Sequence, residues 1–141
     1  MNNRRRVLVS ALFLLVFFVP ATCQIEDEQE SFGRPNGKFY LKRDDEARID
    51  MLYGIEQGIA FLADEGVISK ESMDRYMIKG FRFSDLKEQV DQLYGDKANI
   101  RIPISYAYYY AIRKSRGDSP SDIEDWLARL RRRSLKKSTG E

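Results

Sequence analysis

The sequence predicts an all-α protein, a single compact bundle of about five helices formed behind a cleaved signal peptide. Three observations carry that expectation. Five successive segments between Asp44 and Leu135 place apolar residues three and four apart, the period of a helix with one buried face. Ser or Pro opens most of those segments and Gly closes them, residue types that satisfy or terminate helical backbone. No stretch makes a persuasive strand.

The first element is Met1 to Cys23. Arg4, Arg5 and Arg6 precede a thirteen-residue run, Val7 to Val19, in which Ser10 is the one polar residue, and "PATC" follows. Basic start, apolar middle and small-residue end are the three parts of a secretory signal. The apolar run falls short of the roughly 20 residues that span a bilayer. Cleavage is expected around Thr22 to Gln24. The alternative end is lipid modification of Cys23, which would hold the domain at a membrane.

The signal also changes the charge balance. It contains three of the 24 basic residues and none of the 22 acidic ones, leaving 21 against 22, a near-neutral exported chain. A nucleic-acid partner would call for a strongly basic domain and is not expected. The charge is uneven nonetheless. Gln24 to Glu65 carries 5 basic and 11 acidic residues, whereas Ile112 to Glu141 carries 9 and 5. The sequence holds one cysteine and no histidine. An internal disulfide, a zinc site of the usual kind and Ser-His or Cys-His nucleophile pairs are therefore excluded, and no cofactor or metal is expected.

Residues 24–43 are expected to be a flexible acidic leader with a turn at Pro35-Asn36-Gly37, followed by a short extended arm, "KFYLK". The helical domain is expected over 44–135 and a basic tail over 136–141. The first and longest helix begins after Asp44, carries acids in its first turn and ends at Gly66, with Leu52, Ile55, Ile59 and Leu62 inward. It is also expected to be the most central. Gly54 and Gly58 lie one turn apart on it, each costing about 1 kcal/mol of helix propensity relative to Ala. Either a close helix crossing or an open ligand groove would offset that cost. Ser69 and Ser84 are expected to cap the second and third helices, which end at Gly80 and Gly95, with Leu86, Val90 and Leu93 inward in the third. Pro103 opens the fourth, whose stripe is Ile104, Ala107, Tyr108, Ala111 and Ile112. The fifth presents Ile123, Trp126, Leu127 and Leu130.

Between the last two helices lies "RGDSP", Arg116 to Pro120, the sequence of an integrin-binding peptide. Gly117 suits a helix C′ position, Ser119 an N-cap and Pro120 the first helical turn. The segment therefore reads as a helix–helix junction and not as a flexible recognition loop.

Tyr106, Tyr109 and Tyr110 are surplus to the buried stripe of the fourth helix. With Arg113 they form the expected protein-partner surface, because Tyr and Arg commonly anchor interfaces. The competing expectation packs these rings beneath the arm at Phe39 to Leu41. Gly54 and Gly58 mark the candidate groove. The scattered carboxylates lie mostly on polar helix faces, without the facing pair that glycoside hydrolysis requires.

"VDQLYGDKANIRIPISYAYYYAIRKSRG", together with "YGIEQGIAFL", resembles the Tai-like immunity family of type VI secretion. Tyr53, Gly54 and Gly58 resemble that family's glycine-containing helix, and Pro103, Ala107 and Ala111 its proline-started one. The resemblance implies a periplasmic, non-enzymatic binder, dimeric in some cases, that neutralises a cell-wall-directed toxin. The expected function is thus an exported protein-binding module in the periplasm or envelope, acting on an unidentified protein partner, with a homodimer as one form. It would meet a membrane only through a lipidated Cys23. A cell-wall hydrolase and an envelope structural lipoprotein are the alternatives.

Overall fold

The computed structural model describes residues 29–31 and 33–136. The expected signal peptide, the lipidation candidate Cys23 and the chain from 137 onward lie outside the described residues. The elements in order are β1 (Glu30–Ser31), β2 (Arg34–Pro35), α1 (Gly37–Leu41), α2 (Asp45–Asp64), α3 (Lys70–Tyr76), α4 (Phe83–Gly95), a 3-10 turn (Lys97–Asn99), α5 (Ile104–Ser115) and α6 (Pro120–Lys136). The fold is all-α. Its two short strands form one antiparallel ladder, with Glu30 opposite Pro35 and Ser31 opposite Arg34. Among the described residues, no helix is long and apolar enough to cross a membrane.

The core lies between α4 and α5 and is closed by α6. Leu86, Val90, Leu93 and Tyr94 meet Ile104, Ala107, Tyr108, Ala111 and Ile112, and Ile123, Leu127 and Leu130 pack onto them. These are the stripes expected from the sequence. Alanines at 107 and 111 let α5 lie close to its neighbours, while the larger residues fill the volume around it.

α2 is the longest of the described helices but not the central one. Only Leu52 is buried; Ile55 and Ile59 are half-buried, and Leu62 is 39% exposed. The helix ends as its sequence predicts. Gly66 adopts φ +70°, its N–H donates to Ala63 O at 3.1 Å, and Val67 N–H donates to Leu62 O at 2.8 Å. This double closure satisfies carbonyls that the helix leaves open.

Residues 29–43 correct the expectation of a leader and extended arm. Asn36 caps α1, its Oδ1 accepting from Lys38 N–H at 2.9 Å while its Nδ2 donates to Ser31 Oγ at 3.2 Å. Tyr40 is fully buried, 5.5 Å from the Tyr94 ring, so the folded unit begins well before residue 44. Gly37 permits this docking. A Cβ there would stand 2.5 Å from Tyr94 Cδ1 and 2.9 Å from Ile100 O. The Gly37 N–H donates to that same carbonyl at 3.0 Å. An arm with three large apolar residues folds into a turn of helix because capping satisfies its backbone and the core accepts Tyr40.

Two boundaries also differ. α3 stops at Tyr76, four residues before Gly80, with Met77 extended. α4 begins at Phe83 after an Arg82 N-cap, so Ser84 is helical and donates to Asp85 Oδ1 at 3.2 Å.

Candidate functional site

α1, docked on α4 through Tyr40, and the β2 strand face α2 and α5 across an apolar groove of about 370 Å³. Arg34, Pro35, Phe39, Met51, Gly54, Ile55, Ile104 and Ser105 line it. The capped α1 turn brings Phe39 to one wall, and helical spacing brings Met51, Gly54 and Ile55 to the other. Arg34 is the one charged lining residue. Among the described residues no other element crosses at Gly54 or Gly58: a Cβ at either would meet no atom within 4 Å. The close-crossing explanation of these glycines is therefore overturned. Gly54 sits in the groove wall, whereas Gly58 is outside the lining and continues the same face toward the end of α2.

That end is exposed and apolar. Phe61 is 61% exposed, Val67 68% and Leu62 39%. Met51, Ile55, Gly58 and Leu62 succeed one another at four, three and four residues, so groove and exposed end form one lane along α2. The sequence marked Gly54 but not the opposing wall, Pro35, Phe39 and Ile104. Its only sign was the unusual cost of a glycine pair inside a helix.

The tyrosines of α5 have different neighbours from those expected. Tyr109 lies between Tyr76, at 5.1 Å, and Trp126, at 5.7 Å and nearly perpendicular; Tyr106 faces Trp126 at 6.4 Å. Tyr106, Tyr109 and Tyr110 are half-buried against the core. The cover is thus α3 and α6 and not the Phe39 to Leu41 segment. Arg113 stacks over the Trp126 ring at 5.6 Å and donates through Nε to Asp118 at 2.6 Å. The four side chains expected to meet a partner are gathered on one side of α5, all of them with contacts inside the fold, three to aromatic rings of α3 and α6. Lys114 covers the fourth, Tyr110, its Nζ 5.8 Å from the ring.

The tripeptide at the α5–α6 junction is likewise engaged within the fold. Gly117 has φ +77°, Asp118 N–H donates to Arg113 O, and the Asp118 carboxylate holds Arg113. The Arg116 guanidinium donates to the carbonyls of Asp74 and Arg75 and, at 3.0 Å, to Met77 O. It therefore closes the end of α3.

A charge cluster pins α1, α2 and α4 behind the groove. Lys87 Nζ meets Asp91 at 2.8 Å and Asp45 at 3.0 Å, and Arg48 meets Asp91 at 3.4 Å and Leu41 O at 2.9 Å. The two carboxylates hold the Lys87 ammonium above its ordinary value. Tyr40 lies beneath, its hydroxyl without a hydrogen bond among the described residues. Burial first, and then the Asp91 charge, push its phenol up. Burial does the same to Tyr94, whose hydroxyl donates to Ile102 O at 2.9 Å. It also raises Tyr108, which donates to Glu56 at 3.3 Å. With cations and carboxylates matched, this cluster is suited to fastening helices together.

Comparison with protein-family models, characterised proteins and solved structures finds no match to this chain. The resemblance to Tai-like immunity proteins rests on the quoted residues alone.

Proposed function

We propose that the protein is a non-enzymatic binding module that works after export and takes a protein partner on the outer face of α2. The groove beside Gly54 carries this reading. It is apolar, its glycine wall is uncovered among the described residues, and helical spacing continues its α2 side to the exposed Leu62. Large contiguous apolar surface of this kind characterises interaction sites. The groove lining contains no carboxylate, whereas wall hydrolysis calls for two of them facing across a cleft. Elsewhere Asp91 is held by Lys87 and Arg48, and Glu56 accepts from Tyr108. Export to the periplasm or envelope is supported by the three-part sequence from Met1 to Cys23. Neutralising a wall-directed toxin would be one case of such binding.

The test compares capture of envelope proteins by the immobilised exported form and by its Gly54→Leu variant, which fills the groove. A partner retained by the wild type and by a Glu88→Gln control, but lost from a normally folded Gly54→Leu, is the expected result. Equal retention by all three would exclude the groove face. Turnover of purified peptidoglycan by the wild type would replace the binding reading with the hydrolase.

A further inference from the structure

The charges beside the α2 lane indicate which partner it suits. α2 contains five carboxylates and one cation, Arg48, which is turned to Asp91 and Leu41 O. Glu46, Asp50 and Asp64 fall along the edge next to Gly54 and Phe61, and Glu65 ends the lane. All four are exposed, and none makes an ion pair among the described residues. An apolar lane about 17 Å long thus runs from Met51 to Leu62 beside an unneutralised acidic border. Gly54 and Gly58 remove side-chain bulk from its middle, so a partner backbone could come close there.

We infer that the lane takes a cationic amphipathic helix, apolar residues seated between Phe39 and Leu62 and Lys or Arg residues along the Glu46, Asp50 and Asp64 edge. The inference rests on the proposed binding function and adds the partner's chemistry. A second copy fits poorly. Two α2 faces would oppose carboxylate to carboxylate. The basic α6 helix already buries its apolar face, Ile123, Leu127 and Leu130, within its own core. Anionic lipid is disfavoured by the same acidic border. The opposite wall carries cations, Arg34 in the groove lining and Arg43, whose guanidinium lies 4.4 Å from the Phe39 ring; they favour a partner whose basic residues lie on the Asp50 side only.

Calorimetric titration of the exported form with a synthetic amphipathic Leu–Lys helix, and with a Leu–Glu helix of the same apolar pattern, tests the assignment. The Leu–Lys peptide should bind and the Leu–Glu peptide should not. Raising salt from about 0.05 M to about 0.5 M should weaken binding roughly tenfold or more. Gly54→Leu with Gly58→Leu should abolish binding, and Asp50→Asn with Asp64→Asn should reduce it severalfold, with melting temperatures no lower than that of the wild type. Equal binding of the two peptides, or Leu–Lys binding indifferent to the glycine substitutions, would overturn the inference. So would concentration-dependent dimerisation lost in the glycine variant, or binding to phosphatidylglycerol vesicles through this face. If envelope capture remains sensitive to Gly54→Leu while the peptide test fails, the binding function stands and the cationic helix falls. If both fail, neither survives.

Discussion

Gly37 and Gly54 make opposite predictions for the same substitution. Gly37→Ala would drive a methyl into Tyr94 and the Ile100 carbonyl, a backbone atom that cannot swing aside. It should cost about 1–3 kcal/mol, the usual penalty of overpacking. Gly54→Ala meets nothing and removes a helix-interior glycine, so it should raise stability by up to about 1 kcal/mol. Urea denaturation of the two variants reads both signs at once. The sequence showed that Gly54 was costly, but it gives no sign of whether a glycine is covered or bare. Gly37 looked like an ordinary turn residue because its neighbours, Tyr94 and Ile100, are distant in the chain. Tyr109 is the third test. Wedged between Tyr76 and Trp126, it should lower stability by about 2 kcal/mol when changed to Ala, as a half-buried aromatic does. A Tyr109→Ala protein with an unchanged denaturation midpoint would mean that the ring contributes little to packing and is available to a partner.

At the scale of elements, α3 is the weak one. It has seven residues and none of them is buried; its end is held by the Arg116 guanidinium reaching across from α5. Its amides should be the first among the helices to exchange with deuterium. Arg116→Ala should speed that exchange further while leaving α4 and α5 protected. Uniform acceleration across all helices would show that Arg116 stabilises the whole fold and not one end of α3. The same comparison explains which elements were legible from sequence. α4, α5 and α6 each bury one continuous stripe, so their three-and-four spacing predicted their inward faces correctly. α3 ends where a remote arginine takes its carbonyls, and α1 forms because Asn36 and the Tyr40 pocket stabilise it. The arginine and the Tyr40 pocket are distant in the chain, so neither was visible in the neighbouring residues; Asn36 was a local sign, assigned from the sequence to a turn. The groove shares that origin, since its walls come from α1, α2 and α5 together.

Across the whole molecule, alkali should be the destabilising condition. Tyr40, Tyr94 and Tyr108 have raised folded-state pKa values because burial disfavours the phenolate, and Lys87 is raised by its carboxylate partners. A group raised in this way contributes its full stability below the unfolded-state value of about 10 and loses it as pH climbs toward the folded-state value. The urea midpoint should therefore fall steadily above about pH 10, with tyrosine ionisation, followed by ultraviolet absorbance, appearing together with unfolding. Phenolate absorbance that rises with no loss of the midpoint would show the rings to be ionising in place. A different consequence follows from Gly37 meeting the Ile100 carbonyl. The contact joins positions roughly 60 residues apart, a loop whose closure must precede any reward from the docking of Tyr40. During synthesis the α1 segment leaves the ribosome early, yet its seat, built from Tyr94 to Ile102, emerges only much later. The α1 segment thus stays undocked until residues 94 to 102 have been made, so that the first of the described helices to be synthesised is among the last to lock.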